Sequence, residues 1–261
     1  MLSNSFLVTM RTIAERGSRG VVLKRRLPAR FGGDILFVSP GALLKLWWPV
    51  LEATDPALFA WASEFVAAGD VVWDIGANVG LFAFAAAARA GASGRVVAIE
   101  ADIWLANLLR RSARHSNQRA PVDVLPVAVS DAVDVASFQI AERGRASNFL
   151  ADARGSSQAG GIRETQQVMS VTLDWLLERF PAPNVLKIDV EGAELQALGQ
   201  AQRLLAQVRP VILCEVREQH AAAISELLHA HGYTLYDLAA RQRVPLKLAA
   251  FNTLALPRRV K

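Results

Sequence analysis

The chain has 261 residues, of which 52% are hydrophobic and 20% are charged, and its net charge is +5. This composition is ordinary for a folded protein with a well-buried core, and it excludes a chain that is disordered throughout. The positive charge raises the question of nucleic-acid binding. However, no aromatic residues interleave with the basic runs, as they do in grooves that bind single strands, so a nucleic-acid partner is not predicted.

Signals for cellular location are few. The single cysteine, Cys214, can form no internal disulfide, which is typical of a reducing, cytoplasmic setting. The N-terminal residues lack the basic start, apolar block and cleavage site of a signal peptide. No apolar run is long enough to span a bilayer, although a peripheral membrane contact through the basic N-terminal segment is left open. Formation of a homo-oligomer is left open as well.

Residues 1–69 are predicted to form a mixed N-terminal cap segment. Two short strands, GVVLKRRL and DILFVS, are separated by a Gly32-Gly33 turn. A helix in PALFAWASEFVAAGD follows, with Asp55 as its cap, Pro56 in its first turn and Gly69 at its end. At the start of the chain, an amphipathic helix is predicted to place these residues on one face: Phe6, Leu7, Met10 and Ile13.

Strand and helix patterns alternate over residues 70–261. Near-continuous apolar strands separated by helices predict an α/β fold with a doubly wound, mostly parallel, Rossmann-like sheet. Two short strands, TLYDL and NTLAL, end the domain. The parallel strands are predicted at VVWDI, RVVAIEA, VDVLPVAV, NVLKIDV and PVILCEV, and the helices at VGLFAFAAAARAG, WLANLLRRSARHS, ELQALGQAQRLLAQV and AAAISELLHAHG.

An inserted hairpin and loop over residues 130–170 interrupt the alternation. The stretches ASFQI and VMSV are predicted to be extra strands, and ADARGSSQAGGIRETQQ, rich in Gly, Ser and Gln, to be a flexible loop. Long insertions beside a crevice often act as lids or specificity elements, so we expect this one to cover the site or to select the substrate. A helix in TLDWLLERF, capped by Thr172, follows.

The turn DIGANVG follows the first strong strand, so it should line the crevice at the carboxyl ends of the strands. Gly76 lacks a Cβ that would keep a ligand from the main chain, Asn78 tolerates an unusual backbone angle, and Gly80 permits close approach. Asn78 stands where a dinucleotide fingerprint has its second glycine, and Asp74 suits a cationic ligand such as S-adenosylmethionine better than a pyrophosphate. Glu100, about 20 residues further on, ends the next strand, where an acid commonly accepts from ribose hydroxyls.

Six motifs occur in order between Asp70 and Val216: WDIGANVG, AIEAD, VAVSD, VTLDWLL, LKIDVEGAEL and ILCEV. In this order they resemble the FkbM-type S-adenosylmethionine-dependent methyltransferases. The resemblance implies a class I methyltransferase fold and O-methylation of a sugar or another small hydroxylated metabolite. Arg217, after CEV, departs from the family pattern, which often has histidine there. The cofactor contacts that the resemblance implies are Asp74, Gly76, Asn78, Gly80 and Glu100, with Ser130 and Asp131 at the adenine end.

The segment LKIDVEGAEL places acids at the end of a central strand and at the start of a helix. Lys187 and Asp189 share one side of the strand, and Asp189 should face the same crevice as Gly76. A hydroxyl that accepts a methyl group must be aligned and deprotonated, and a carboxylate is a suitable base. We therefore predict that Asp189 or Glu191 orients or deprotonates the acceptor, assisted by Lys187. With Glu215 these acids would suit magnesium, but the spacing is a weak signal and no metal is predicted.

Three other functions compete with a small-molecule methyltransferase. A nicotinamide oxidoreductase shares the fold class but lacks the glycine spacing. An RNA methyltransferase with the same cofactor is favoured by the positive charge and would bind RNA with a steep salt dependence. A non-catalytic nucleoside-binding module is disfavoured, because the acids Asp189 and Glu191 are both present. Glu194 is read as a helix-start acid that the helix dipole favours, and His220 as a surface residue at a helix start.

Overall fold

The structure is a computed structural model that describes residues 14–115, 119–142, 144–153 and 160–258. The helical face predicted from Phe6, Leu7, Met10 and Ile13 lies outside the described residues, although residues 14–17 are helical. No helix among the described residues has both the length and the apolar character needed to cross a membrane.

Strands and helices alternate through most of the chain. The strands are β1 (Leu23–Arg26), β2 (Ile35–Val38), β3 (Val71–Ile75), β4 (Arg95–Ile99), β5 (Val122–Leu125), β6 (Ala128–Val129), β7 (Asp134–Ala141), β8 (Phe149–Leu150), β9 (Ile162–Val171), β10 (Val185–Ile188), β11 (Val211–Glu215), β12 (Tyr233–Asp237) and β13 (Asn252–Pro257). The α-helices are α1 (Pro56–Phe65), α2 (Leu81–Ala90), α3 (Ile103–Ala113), α4 (Leu173–Leu177), α5 (Glu194–Gly199) and α6 (Ala221–Ala230).

The central sheet has seven strands in the order β12-β13-β11-β10-β3-β4-β5. The pairs from β11 to β5 are parallel, whereas β13 runs antiparallel to both β11 and β12. From β3 the chain builds outward to β5, and it then returns to the other side of β3 with β10. Strand order reverses between β3 and β10, so a crevice opens at their carboxyl ends. The predicted doubly wound, mostly parallel α/β sheet is confirmed.

Most helix ends follow the sequence signals. Asp55 caps α1 by accepting from Leu58 N at 3.4 Å, and Thr172 caps α4 by accepting from Trp175 N at 3.1 Å. Gly91 ends α2 with a φ of 65°. The end predicted for α1 at Gly69 is wrong, because the helix stops at Phe65 and Val66 is already extended.

Two hydrophobic clusters cover the two faces of the sheet. One includes Val72 and nearly all of the alanine-rich helix α2, and the other includes Trp73 and Ile75 with α5 and α6. The N-terminal cap joins the first cluster, because Leu36 and Val38 of β2 are buried in it. The backbone N–H of Phe37 also donates to Ser112 Oγ of α3 at 2.8 Å. The cap and the sheet therefore share one core.

The insertion forms a separate four-stranded sheet in the order β6-β9-β7-β8. The extra strands predicted in ASFQI and VMSV are confirmed, but the flexible loop predicted over residues 151–167 is partly wrong, since β9 begins at Ile162. Polar residues of β9 are held by antiparallel pairing with β7 rather than by burial, so no apolar pattern signals them. Pro126 divides the predicted strand VDVLPVAV into β5 and β6, because proline offers no N–H to a ladder.

The long helix predicted over ELQALGQAQRLLAQV is also wrong. Helix α5 ends at Gly199, and a π-helical turn follows at Leu204–Val208. The carboxylate of Asp174 accepts from Arg203 N at 2.9 Å and from Leu204 N at 3.0 Å. These N–H groups therefore bind a side chain from another helix, which allows a second helical segment to begin there.

Candidate active site

A cavity of about 270 Å³ lies at the carboxyl ends of β3, β4, β10 and β11. It is the crevice that the topology places between β3 and β10. The predicted residues Gly80, Ser130 and Asp131 are not among its lining residues. The predicted site residues that line it are Asp74, Gly76, Asn78, Glu100, Lys187, Asp189 and Glu191.

The glycine turn is shaped by contacts within the protein. Gly76 has a φ of +76°, and a Cβ there would lie 1.9 Å from the carbonyl oxygen of Asp189. The absence of its side chain is thus required at the junction of β3 with the end of β10, and the close approach of a ligand to Gly76 stays a prediction. Gly80 precedes α2 with a φ of +87°, and its Cβ would lie 2.6 Å from Leu109 and Phe84. Gly80 is therefore required for packing, away from the cavity.

Asn78 and Glu100 form one end of the cavity, which we call the nucleoside end together with its neighbours Ala101, Val127 and Ala128. Asn78 has a φ of 52°, the unusual angle that was predicted. Glu100 is 7% exposed, and its two oxygens accept from Asn78 N at 2.7 Å and from Asp102 N at 2.8 Å. Burial raises the pKa of Glu100 to about 7 despite these two hydrogen bonds.

At the other end, which we call the acidic end, Lys187 is buried between two carboxylates. Its Nζ lies 3.2 Å from Asp74 Oδ1 and 3.4 Å from Asp189 Oδ2. Burial alone would lower the pKa of Lys187, but the charges of Asp74, Asp189 and Glu215 raise it. Burial raises the pKa of the fully buried Asp74, an effect that Lys187 opposes. Among the described residues, neither oxygen of Asp74 accepts a well-oriented hydrogen bond.

Glu191 follows β10 with a φ of 43° and forms an ion pair with Arg217. Burial and the charge of Asp189 raise the pKa of Glu191 to about 7, although Arg217 opposes this rise. The partner of Arg217, the residue that departs from the pattern expected from the resemblance, is thus a cavity carboxylate. Glu194 instead accepts from Gly192 N at 2.7 Å and contacts His220 Nδ1 at 3.1 Å, so its predicted role as a helix-start acid is confirmed.

Ser130 and Asp131 follow β6 outside the cavity lining. Ser130 Oγ donates to Asp131 Oδ1 at 3.2 Å, and Ser130 N donates to Val171 O at 3.0 Å. This placement does not bring them to the nucleoside end, and their contact with the adenine stays a prediction.

The sequence reasoning gave Glu215 no role at the site other than that of a weak metal ligand. Glu215 ends β11 one residue beyond the Ile188–Cys214 pair, so it stands beside Asp189 at the acidic end. Burial raises the pKa of Glu215 to about 8, and the charge of Asp189 is the second largest cause of this rise. No described residue forms an ion pair or side-chain hydrogen bond with its carboxylate. The signal was available, because Glu215 ends a buried parallel strand just as Glu100 follows one.

The sequence reasoning also missed the contact of the insertion with the segment after β4 at the nucleoside end. We call the residues of this contact, Asp102, Arg145 and Asn148, the roof. Arg145 and Asn148 of the insertion line the cavity, and Asp102 Oδ2 accepts from Asn148 Nδ2 at 2.9 Å and from Arg145. Arg145 N donates to Gly41 O at 3.1 Å, which ties the insertion to the cap. No local pattern signals contacts between residues so far apart in the chain.

Metal binding has little geometric support. Across the part of the chain that the structure describes, no group of three or more His, Cys, Asp or Glu residues is arranged to hold a metal ion.

The known proteins most similar to this chain include one synthetase and several methyltransferases. The AMB antimetabolite synthetase AmbE of Pseudomonas aeruginosa is 32% identical over 210 residues, which cover 62% of this chain and 9% of the synthetase. The chain therefore spans less than a tenth of that relative's length.

Two solved structures have a similar arrangement at low sequence identity. A precorrin-6y C5,15-methyltransferase from Geobacter metallireducens is 14% identical with a TM-score of 0.42, covering 76% of this chain and 85% of that chain. A methyltransferase FkbM from Methylobacillus flagellatus is 15% identical with a TM-score of 0.46, covering 76% of this chain and 50% of that chain.

Family membership follows from a match over most of the main domain. The model of the methyltransferase FkbM domain matches residues 74–235, a range that begins at Asp74 and includes both ends of the cavity. The chain belongs to the FkbM methyltransferase domain family.

Proposed function

We propose that the protein is an S-adenosylmethionine-dependent methyltransferase that methylates a hydroxyl group of a small metabolite or sugar. The observation that carries the proposal is the cavity itself. It joins a slot that Glu100 shares with Ala101, Val127 and Ala128 to an end rich in carboxyl groups, and this matches a ligand with a nucleoside at one side and positive charge at the other.

The nucleoside end fits adenosine. Each oxygen of Glu100 uses one lone pair on a backbone N–H, so a second lone pair on each can accept from a ribose hydroxyl. Asn78 Oδ1 is buried, and no described residue hydrogen-bonds to it. Ala101, Val127 and Ala128 offer an apolar surface to a flat base.

The acidic end fits an ammonium and a sulfonium. The carboxylates there outnumber the cations Lys187 and Arg217, and Glu215 has no cationic partner of its own among the described residues. Opposite charge in a cavity strengthens hydrogen bonds to a ligand ammonium. The acids concerned are Asp74, Asp189, Glu191 and Glu215.

Alignment is the main contribution that the chain makes to the reaction. S-Adenosylmethionine supplies, when bound, a methyl group that its positive sulfur already activates. Asp189 is 31% exposed at the cavity and is held by Lys187, so its free oxygen can accept from an acceptor hydroxyl and orient it. Glu191 can share this role. The excess of carboxylates makes a neutral or cationic hydroxylated acceptor a better fit than an anionic one.

The relative from Pseudomonas aeruginosa adds a weaker argument. The name of that synthetase describes the synthesis of an antimetabolite, which is a small molecule. A small acceptor is therefore consistent with the similarity of this chain to that synthetase.

Thermal unfolding with S-adenosylmethionine, S-adenosylhomocysteine and NAD tests the cofactor. A ligand at 100 times its Kd should add about 2.7 kcal/mol to the free energy of unfolding. We expect a shift with the two adenosyl compounds and none with NAD. The proposal is contradicted if only NAD shifts the unfolding temperature, or if none of the three ligands shifts it.

Transfer of a labelled methyl group to a panel of hydroxylated metabolites tests the reaction. With the acceptor so identified, Asp189→Asn should lower kcat at least about 100-fold when measured at saturating S-adenosylmethionine, so that weaker cofactor binding does not account for the loss. Near-normal turnover would remove Asp189 from the mechanism.

A further inference from the structure

The insertion supplies one wall of the nucleoside end. Four residues of the insertion line the cavity: Phe138, Arg145, Asn148 and Leu150. Phe138 and Leu150 are buried in one hydrophobic cluster with Ala101 and Ala128, both of which line that end. The wall is therefore part of a packed core and does not lie over the surface as a loose loop.

Arg145 and Asn148 are joined to the predicted ribose acid through Asp102. Asp102 is fully buried and caps α3 with Oδ1, which accepts from Trp104 N at 2.9 Å. Its other oxygen accepts from Arg145 and Asn148, and its N–H donates to Glu100 at 2.8 Å. Asp102 thus connects the guanidinium to the carboxylate that the ribose would contact.

Arg145 keeps donors for a ligand. A guanidinium carries five N–H donors in a rigid plane. The contacts of this one with described side chains are its ion pair with Asp102 and a Trp104 ring 4.8 Å from Cζ. Its side chain is 14% exposed and lines the cavity. The turn is fixed from behind, because Ala146 N donates to Ala42 O at 3.2 Å.

We propose that Arg145 and Asn148 bind the nucleoside part of the ligand, which makes the insertion a cofactor-recognition element of the site. The inference rests on the proposed function. Arg145 donates to acceptor nitrogens of the base or to ribose oxygens, and the amide of Asn148 uses its remaining donor or lone pair in the same way. The role differs from that predicted from the sequence, in which the insertion selects the acceptor or covers the site.

Calorimetric titration with two probes locates the contact. S-Adenosylhomocysteine has both the nucleoside and the amino-acid part, whereas 5′-methylthioadenosine has only the nucleoside. Arg145→Gln should weaken both probes by the same factor, about tenfold or more, because a charge-assisted hydrogen bond is lost. Asp189→Asn, at the acidic end, should weaken S-adenosylhomocysteine alone.

Arg163→Gln is the matched control. Arg163 in β9 is close enough that burial and the Arg145 charge lower its pKa, yet it does not line the cavity. This variant removes the same charge from the same region, and both Kd values should stay within about threefold of wild type.

A double variant separates ligand contact from support of Asp102. Arg145→Gln alone leaves a buried carboxylate without its cation and should lower the Tm. Asp102→Asn with Arg145→Gln removes both charges and should restore most of the Tm but not the affinity. If affinity returns with the Tm, or if Arg145→Gln binds both probes normally, the inference is overturned. If wild type binds neither probe, the proposed function fails first and the inference fails with it.

Discussion

The two ends of the cavity hold their carboxylates in different ways. At the nucleoside end, Glu100 accepts hydrogen bonds from two backbone N–H groups and forms an ion pair with no cation among the described residues. At the acidic end, Lys187 lies between Asp74 and Asp189, and Glu191 is paired with Arg217. Main-chain donors fix one end, and opposing side-chain charges fix the other.

This difference determines what each end requires of its ligand. Backbone donors keep their positions when the cavity is empty, so the nucleoside end is preorganised for hydrogen bonds. The acidic end holds four carboxyl groups against two cations, and burial raises the pKa of Glu191 to about 7 and that of Glu215 to about 8, so both are partly protonated near pH 7. A cationic ligand favours the ionised forms of these two groups. Ligand charge should therefore matter at the acidic end and ligand shape at the other.

Gly76→Ala should have the largest effect, because it damages the junction between the two ends. The new Cβ would lie 1.9 Å from Asp189 O at a φ of +76°, so either β10 or the turn must move. We expect the free energy of unfolding in urea to fall by about 4 kcal/mol or more, with loss of S-adenosylhomocysteine binding.

Gly33→Ala is the control for the backbone angle alone. Gly33 has a φ of +68° with no atom within 4 Å of a Cβ, so it should lose only about 1 kcal/mol. Equal losses in the two variants would show that the close approach to Asp189 has no energetic weight.

Lys187→Met should be the next largest, because it leaves Asp74 buried without its cation. We expect a loss of about 3–4 kcal/mol at pH 7 in urea unfolding. The loss should shrink at low pH, since burial already raises the pKa of Asp74 and its protonation removes the unpaired charge. Asp74→Asn with Lys187→Met should recover much of the loss. A loss that does not vary with pH contradicts the charge argument.

Glu215→Gln tests the acidic end through pH. The folded pKa of about 8 lies above the unfolded value near 4.5, so the folded state retains a proton that the unfolded state releases. Wild-type stability should therefore fall as the pH rises from 5 to 8. The variant lacks this term, and its unfolding free energy should fall by about 3 kcal/mol less over that range, since one proton over one pH unit contributes about 1.4 kcal/mol. Parallel profiles would place the Glu215 pKa near its ordinary value.

The central sheet was predictable because its signals are local. VVWDI and RVVAIEA are apolar runs that end in an acid or a turn, and the following helices have caps or end at glycine. The same reasoning placed Asp74, Glu100 and Asp189 at one crevice, since the carboxyl ends of parallel strands meet. It extends without change to Glu215, the acid that was given no role there beyond a weak metal ligand.

The roof was not predictable, because it depends on contacts between distant segments. Asp102 looks like an ordinary helix cap, and Arg145 lies in a polar stretch without periodicity. Their ion pair joins residues 43 positions apart. The π-helical turn after α5 was missed for the same reason, since it depends on Asp174 of another helix. Sequence patterns indicate which face of a helix or strand is buried, but they do not indicate which distant segment packs against that face.

Ser130→Ala should have the smallest effect, and it defines where the nucleoside end stops. Ser130 Oγ donates to Asp131 at 3.2 Å, and neither residue lines the cavity. We expect less than about 1 kcal/mol of lost stability and a Kd for S-adenosylhomocysteine within about threefold of wild type. A tenfold weaker Kd with an unchanged Tm would mean that the base reaches beyond Val127 and Ala128 to Ser130. The nucleoside end would then be longer than the cavity, and the contact predicted from the family resemblance would be correct.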